Sequence, residues 1–151
     1  MKKIVAGVDE VGRGSLIGPV YAAAVIFKKN IKDKEIIDSK KIKKTKREII
    51  SKYIKKNSIW GIGSASLKEI ENFNILNASL LAMKRAIEKL KIKPNLILID
   101  GNKSPKIKNC LVKTVIKGDQ KIKEISAASI IAKVSRDKLM NKMSKKFKKY
   151  K

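Results

Sequence analysis

The chain has no histidine and a single cysteine, Cys110, in its 151 residues. A lone thiol forms no internal disulfide, and without imidazole or a thiol cluster there is no zinc site and no histidine general base. Cys110 is expected to be a small, half-buried side chain in a reducing compartment. Aromatic residues make up only 5%, with no clustered pair on one strand, which argues against a module that grips RNA by stacking its bases. Long apolar runs are missing too. The longest, Tyr21 to Phe27, is far too short to cross a bilayer, and nothing reads as a signal peptide. A soluble, cytoplasmic protein, monomeric by default and with no membrane partner, is the expectation.

Acids are also scarce: 13 Asp and Glu stand against 38 Lys and Arg, a net charge of +25. Such a balance points to a polyanionic partner, because basic side chains release counterions from phosphate backbones. The arginines are Arg13, Arg47, Arg85 and Arg136, and lysine supplies the rest. Lysine, isoleucine and asparagine are what an AT-rich genome favours, so part of this charge carries no message. The same bias makes each acid more informative.

What remains is one domain over residues 1–151, with 43% hydrophobic residues to build a core. Lys2 to Asp9 reads as a strand, and Leu16 to Phe27 as a second, entered through Gly12-Arg13-Gly14. Lys28 to Lys44 is a charged connection. Thr45, with Glu48 three residues on, has the spacing of a helix cap, and the stripe Ile49, Ile50, Tyr53, Ile54 continues that helix to Asn57. Ile59 to Ala65 is a third strand. Ser66 with Glu69 repeats the cap signature for a short helical segment. Leu76 to Leu90 is a helix with Leu76, Leu80, Met83 and Ile87 on one face. Leu96 to Asp100 is an apolar strand suited to burial on both faces, and Leu111 to Ile116 is a fifth. A long helix runs from about Ile122 to Lys148, its small residues Ala127, Ala128, Ser129 and Ala132 allowing close approach to a sheet. The order β-β-α-β-α-β-β-α predicts an α/β fold: a mixed five-stranded sheet flanked by helices.

Three of these strands deliver carboxylates at their carboxyl ends: Asp9 and Glu10 after the first, Asp100 after the fourth, Asp119 after the fifth. Were these strands neighbours of matching direction, the acids would meet at the sheet edge where α/β sheets place ligands. Converging carboxylates repel unless a cation sits among them. An all-oxygen set suits Mg2+ or Mn2+. Adjacent strand residues face opposite ways, so Glu10 shares a site with Asp9 only where the strand bends, as Val11-Gly12 allows. Each acid alone also fits a turn or a helix cap. The spacing Gly12-Arg13-Gly14 to Gly18 is GxGxxxG and leads into a strand, which excludes a dinucleotide loop. Its exposed backbone groups suit either an ordinary tight turn or hydrogen bonds to a ribose 2′-hydroxyl.

Taken together, Gly7-Val-Asp-Glu-Val-Gly-Arg-Gly14, Gly18-Pro-Val20, Asp38-Ser-Lys-Lys41, Asn74 to Met83, Leu98-Ile-Asp-Gly101, Lys117-Gly-Asp119 and the segments Ser126 to Ile130 and Ala132 to Asp137 resemble, in order, the motifs of ribonuclease HII. The resemblance runs from Lys2 to about Met140. It implies a ribonuclease H-like fold whose first three strands form an antiparallel meander. It also implies endonucleolytic cleavage of the RNA strand of RNA–DNA hybrids, and of DNA duplexes at embedded ribonucleotides, leaving 5′-phosphate and 3′-hydroxyl ends. By position it assigns the metal ligands to Asp9, Glu10, Asp100 and Asp119, with two-metal-ion catalysis by Mn2+ or Mg2+. Asp9, on the innermost strand, would bridge the ions. Substrate contacts would fall to Gly12, Arg13 and Gly14, which take the role of 2′-hydroxyl and backbone recognition.

Lys40 and Lys41 are candidates for phosphate contacts, or a solvated pair. Lys133 and Arg136 are expected to face either the duplex or solvent, Asp137 to be a surface charge, and Trp60 to be core. Ser15 and Ile17 depart from the family's usual proline and alanine. The family pattern also continues to a His-Lys-Gly-Tyr segment that completes recognition of the RNA–DNA junction. The sequence ends at Tyr150-Lys151 without histidine, so that segment is expected to be absent. The alternative function is a non-catalytic, basic nucleic-acid-binding relative.

Overall fold

The computed structural model describes residues 3–14, 18–39 and 43–149. Its strands are β1 (Val5–Val11), β2 (Val20–Phe27), β3 (Ser58–Ala65), β4 (Leu96–Asp100) and β5 (Leu111–Val115). Its helices are α1 (Asp33–Ser39), α2 (Lys44–Lys56), α3 (Leu67–Glu88) and α4 (Lys123–Lys149), with a 3-10 turn at Gly118–Gln120. The five strands form one mixed sheet in the order β3-β2-β1-β4-β5. β1, β2 and β3 make an antiparallel meander, while β1, β4 and β5 run parallel. That parallel trio is the arrangement the strand-end acids require.

Helices cover both faces. On one, α3 lays Ala78, Ala82, Met83, Ala86 and Ile87 against Ala6, Val8, Ala22, Ala24, Ile97 and Ile99. On the other, α4 lays Ala127, Ala128, Ile131 and Ala132 against Ala23 and Val25, with Ile36 of α1 and Ile54 of α2 closing the edge. The small residues of α4 are fully buried, as the close approach demands. At Gly7 the two elements approach tightly: a Cβ there would overlap the backbone of Glu124 and Ile125. Among the described residues no helix is long and apolar enough to cross a membrane.

Several expectations are corrected. The connection after β2 holds a helix, α1, because Ile31 and Ile36 are buried against α4; two apolar residues are too few to show a period. Thr45 does not cap α2, whose N-cap is Lys43 with no side-chain bond. Ile49 and Tyr53 of the expected stripe are exposed, leaving Ile54 and Ser51 inward. Ser66 and Glu69 do form a reciprocal capping box, but they open the same helix that carries Met83. The two expected segments join at Asn74, which has left-handed φ of 69° and whose Oδ1 accepts the Asn77 amide at 2.9 Å, capping the second half. The buried face of α3 is the Ala78, Ala82, Ala86 stripe rather than Leu76 and Leu80, which lie half-buried beside it. Trp60 is not core. It sits exposed on the edge strand β3 with Lys55 Nζ 4.5 Å from its ring centre.

Candidate metal centre

Val8 pairs with Ile99 across β1 and β4. Both belong to the core beneath α3, so Asp9 and Asp100, one residue further on, both turn to the opposite face. The chain leaves β5 through Lys117, in left-handed conformation with φ 54°, and enters the 3-10 turn that carries Asp119. The Gly118 amide donates to Asp100 Oδ1 at 2.7 Å, which fastens this turn to the end of β4. The result is that one carboxylate oxygen from each of Asp9, Asp100 and Asp119 lies within 4.8 Å of the others. Asp9 is 5% exposed and the other two are half-buried. Part of Asp9's acceptor capacity is met by the Glu10 amide, 2.8 Å from Oδ1.

Three carboxylates this close, in a half-buried setting, are mutually repulsive as anions. Nothing but oxygen is offered, so the donor set fits a hard dication such as Mg2+ or Mn2+ and not a thiophilic metal.

Glu10 stands differently. The bend that would bring Glu10 to the side of Asp9 is not there: the strand continues through Val11, with Glu10 opposite Ala22. Its side chain therefore points to the α3 side and lies outside the tight trio. It lines a cleft of about 100 Å3 together with Arg13, Ser79, Met83, Asp100 and Asn102. Burial pushes the Glu10 carboxyl above its usual range; the Arg13 guanidinium draws it back and the Asp100 carboxylate pushes it further up. Arg13 Nη1 is 3.8 Å from Glu10 Oε1, and the arginine side chain is otherwise 47% exposed.

Gly12 has φ of 99°, a left-handed conformation open to glycine at little cost. Arg13 and Gly14 are exposed beyond it. Lys40 and Lys41, the expected phosphate contacts, lie outside the described residues, as do Ser15 and Ile17. Lys133 is half-buried. Asp137 is 3.9 Å from Arg47 Nη1 and so ties α4 to α2.

Two residues were not legible in advance. Ser79 is 1% exposed, and its hydroxyl has no partner among the described residues although it lines the cleft with Glu10 and Asp100; one serine on a helix gives no signal of that. Arg136 lies under the glycine turn, its Nε donating to the Pro19 carbonyl at 3.0 Å. That engagement with the protein's own backbone had no signal in the sequence.

The family model described as Ribonuclease HII matches residues 6–151. The Ribonuclease HII of Pelagibacter ubique is 71% identical over 148 residues, covering 98% of this chain and 80% of that protein. That of Borreliella burgdorferi is 54% identical over 143 residues, covering 94% and 79%. The crystal structure of ribonuclease H2 from Pyrococcus horikoshii matches with a TM-score of 0.82 at 33% identity, over 95% of this chain and 76% of that one. The ribonuclease HII of Archaeoglobus fulgidus, solved in complex with PCNA, matches with a TM-score of 0.69 at 25% identity, over 95% and 78%. With the sheet order, the acid trio and these likenesses in agreement, the chain belongs to the ribonuclease HII family, hydrolases that cut the RNA strand of RNA–DNA hybrids.

Proposed function

We propose that this chain, as a single catalytic domain, hydrolyses RNA–DNA hybrids and cuts DNA duplexes at embedded ribonucleotides, leaving 5′-phosphate and 3′-hydroxyl ends. The observation that carries this reading is the trio of oxygens from Asp9, Asp100 and Asp119 within 4.8 Å. Mn2+ or Mg2+ held there by these carboxylates would stabilise charge on the phosphate and activate a water, by two-metal-ion chemistry.

The chain's own residues divide the remaining work. Asp9, on the central strand and the most buried of the three, would be the innermost ligand to the metal. Asp100 keeps one oxygen on the Gly118 amide and offers the other. Asp119 closes the third side. Glu10 completes the ligand set from the cleft side, where proximity to Asp100 and burial favour a nearby cation. The Gly12–Arg13–Gly14 turn reads the ribose 2′-hydroxyl through its backbone, and Lys40 and Lys41 contact phosphate.

The test is cleavage of a duplex carrying one ribonucleotide. With Mn2+ or Mg2+ the chain is expected to cut it once, beside the ribose, and Asp100→Asn is expected to abolish cutting while leaving duplex binding nearly intact. Cleavage that survives EDTA or Asp100→Asn would sink the proposal. Binding without cleavage by the unmodified chain favours the non-catalytic relative.

A further inference from the structure

We infer that Arg136 of α4 is the positioning residue for the Gly12–Arg13–Gly14 turn and, through it, for selection of ribose over deoxyribose. This rests on the proposal that the turn reads the 2′-hydroxyl. Gly12 opens the turn and Gly18 lies four residues past Gly14; both have left-handed φ, 99° and 92°. Such backbone is soft, since glycine has no side chain to hold it in one well. Recognition through backbone groups needs those groups held to within a fraction of an ångström, so the stiffness must come from elsewhere.

Arg136 is the group in place to provide it. Its Nε donates to the Pro19 carbonyl at 3.0 Å. A Cβ on Gly12 would lie 2.6 Å from that same Nε and 3.1 Å from Cδ, and a Cβ on Gly18 would lie 3.4 Å from Nη2. The guanidinium thus lies against the backbone of Gly12, where the turn begins, and of Gly18. Met140, one turn further along α4, also lies against Gly18, its Sδ 2.7 Å from the same hypothetical Cβ. The planar, fixed fork of an arginine suits this; a lysine ammonium on a flexible stem does not. The helix behind it is anchored by Ile131, Ala132 and Val134, buried in the core on the sheet's α4 face. Arg13 plays a different part, since its side chain is largely exposed and faces Glu10.

A phosphate contact and a positioning strut make different predictions. Binding is measured by fluorescence anisotropy in EDTA, so that nothing is cut, with a duplex carrying one ribonucleotide and with an all-DNA duplex of the same sequence. The unmodified chain is expected to prefer the former by about tenfold, the worth of one good hydrogen bond. Arg136→Ala and Arg136→Lys are both expected to lose most of that preference while keeping the all-DNA affinity and its salt dependence. Arg136→Lys keeps the charge and guards against misfolding in the alanine variant, with thermal melts confirming the fold. If both duplexes weaken alike and the slope of log K against log salt falls by about 1, Arg136 is a phosphate contact and the inference is wrong. Full preference in Arg136→Lys overturns it as well. No preference in the unmodified chain brings down the 2′-hydroxyl reading itself, and this inference with it; the unmodified arm alone reveals that failure.

Discussion

Asp100 accepts the Gly118 amide at 2.7 Å, and this bond joins the end of β4 to the turn that holds Asp119. It explains how two acids 19 positions apart, at 100 and 119, come within coordinating distance. It also makes Asp100→Asn a clean change, because Oδ1 and its bond can be kept while one charge is removed. Without metal, Asp100→Asn is expected to stabilise the fold by on the order of 1 kcal/mol, the size of a like-charge repulsion about 4 Å apart in water-like surroundings. Thermal melts in EDTA check this. A variant less stable than the unmodified chain would mean the trio is not repulsive.

Gly7 is where β1 and α4 touch, and any side chain there collides with the backbone of Glu124 and Ile125. Gly7→Ala should cost about 3 kcal/mol or more, at or beyond the upper end for overpacking, since backbone cannot swing aside. Urea unfolding gives the number. A cost below about 1 kcal/mol would place the helix further from the strand than the structure does.

Glu69 receives both Nη atoms of Arg85, at 2.8 and 2.7 Å, and the Ser66 amide at 3.1 Å. Arg85 Nη1 also donates to the Ser64 carbonyl at 2.8 Å, so the cluster clamps the start of α3 to the end of β3. The Arg85 hydrogen bond, with the Ser66 amide behind it, holds the Glu69 carboxyl down at about 2, against 4.5 for the free side chain. A lowered folded value means the contribution is present above pH 4.5 and fades as pH falls towards 2. Glu69→Gln should therefore be less stable than the unmodified chain at neutral pH, and the two unfolding curves should converge as pH approaches 2. A gap that persists undiminished at that pH would assign the effect to packing and not charge.

Ser79 buries a hydroxyl without a partner among the described residues. Leaving such a group unpaired has a desolvation cost, so Ser79→Ala is expected to be neutral or to stabilise by about 1 kcal/mol. A loss of about 1 kcal/mol or more in a denaturant titration would show that the hydroxyl has a partner in solution, such as an ordered water in the cleft.

The legible features were those set by local chemistry. Sheet strands, the Ser66–Glu69 box and the small face of α4 follow from patterns a few residues long. The trio was legible because an acid lies at or shortly past the carboxyl end of β1, β4 and β5, against a heavy lysine background. Illegible were features decided by tertiary packing. α1 has too few apolar residues for a period, Lys43 begins α2 without a cap, and Trp60 lies outside the core on an edge strand. The separation of Glu10 from the trio depends on β1 continuing straight to Val11. The seat of Arg136 depends on where α4 crosses the glycine turn, contacts more than 100 residues apart in sequence.

The central claim is that Asp9, Asp100 and Asp119 together bind divalent metal. Titration of Mn2+ followed by the loss of its free-ion electron paramagnetic resonance signal tests it without substrate. The unmodified chain should bind Mn2+ saturably, and Asp100→Asn should bind about tenfold more weakly or worse, because a charged oxygen ligand has been lost. Equal Mn2+ affinity in the two proteins would contradict the account.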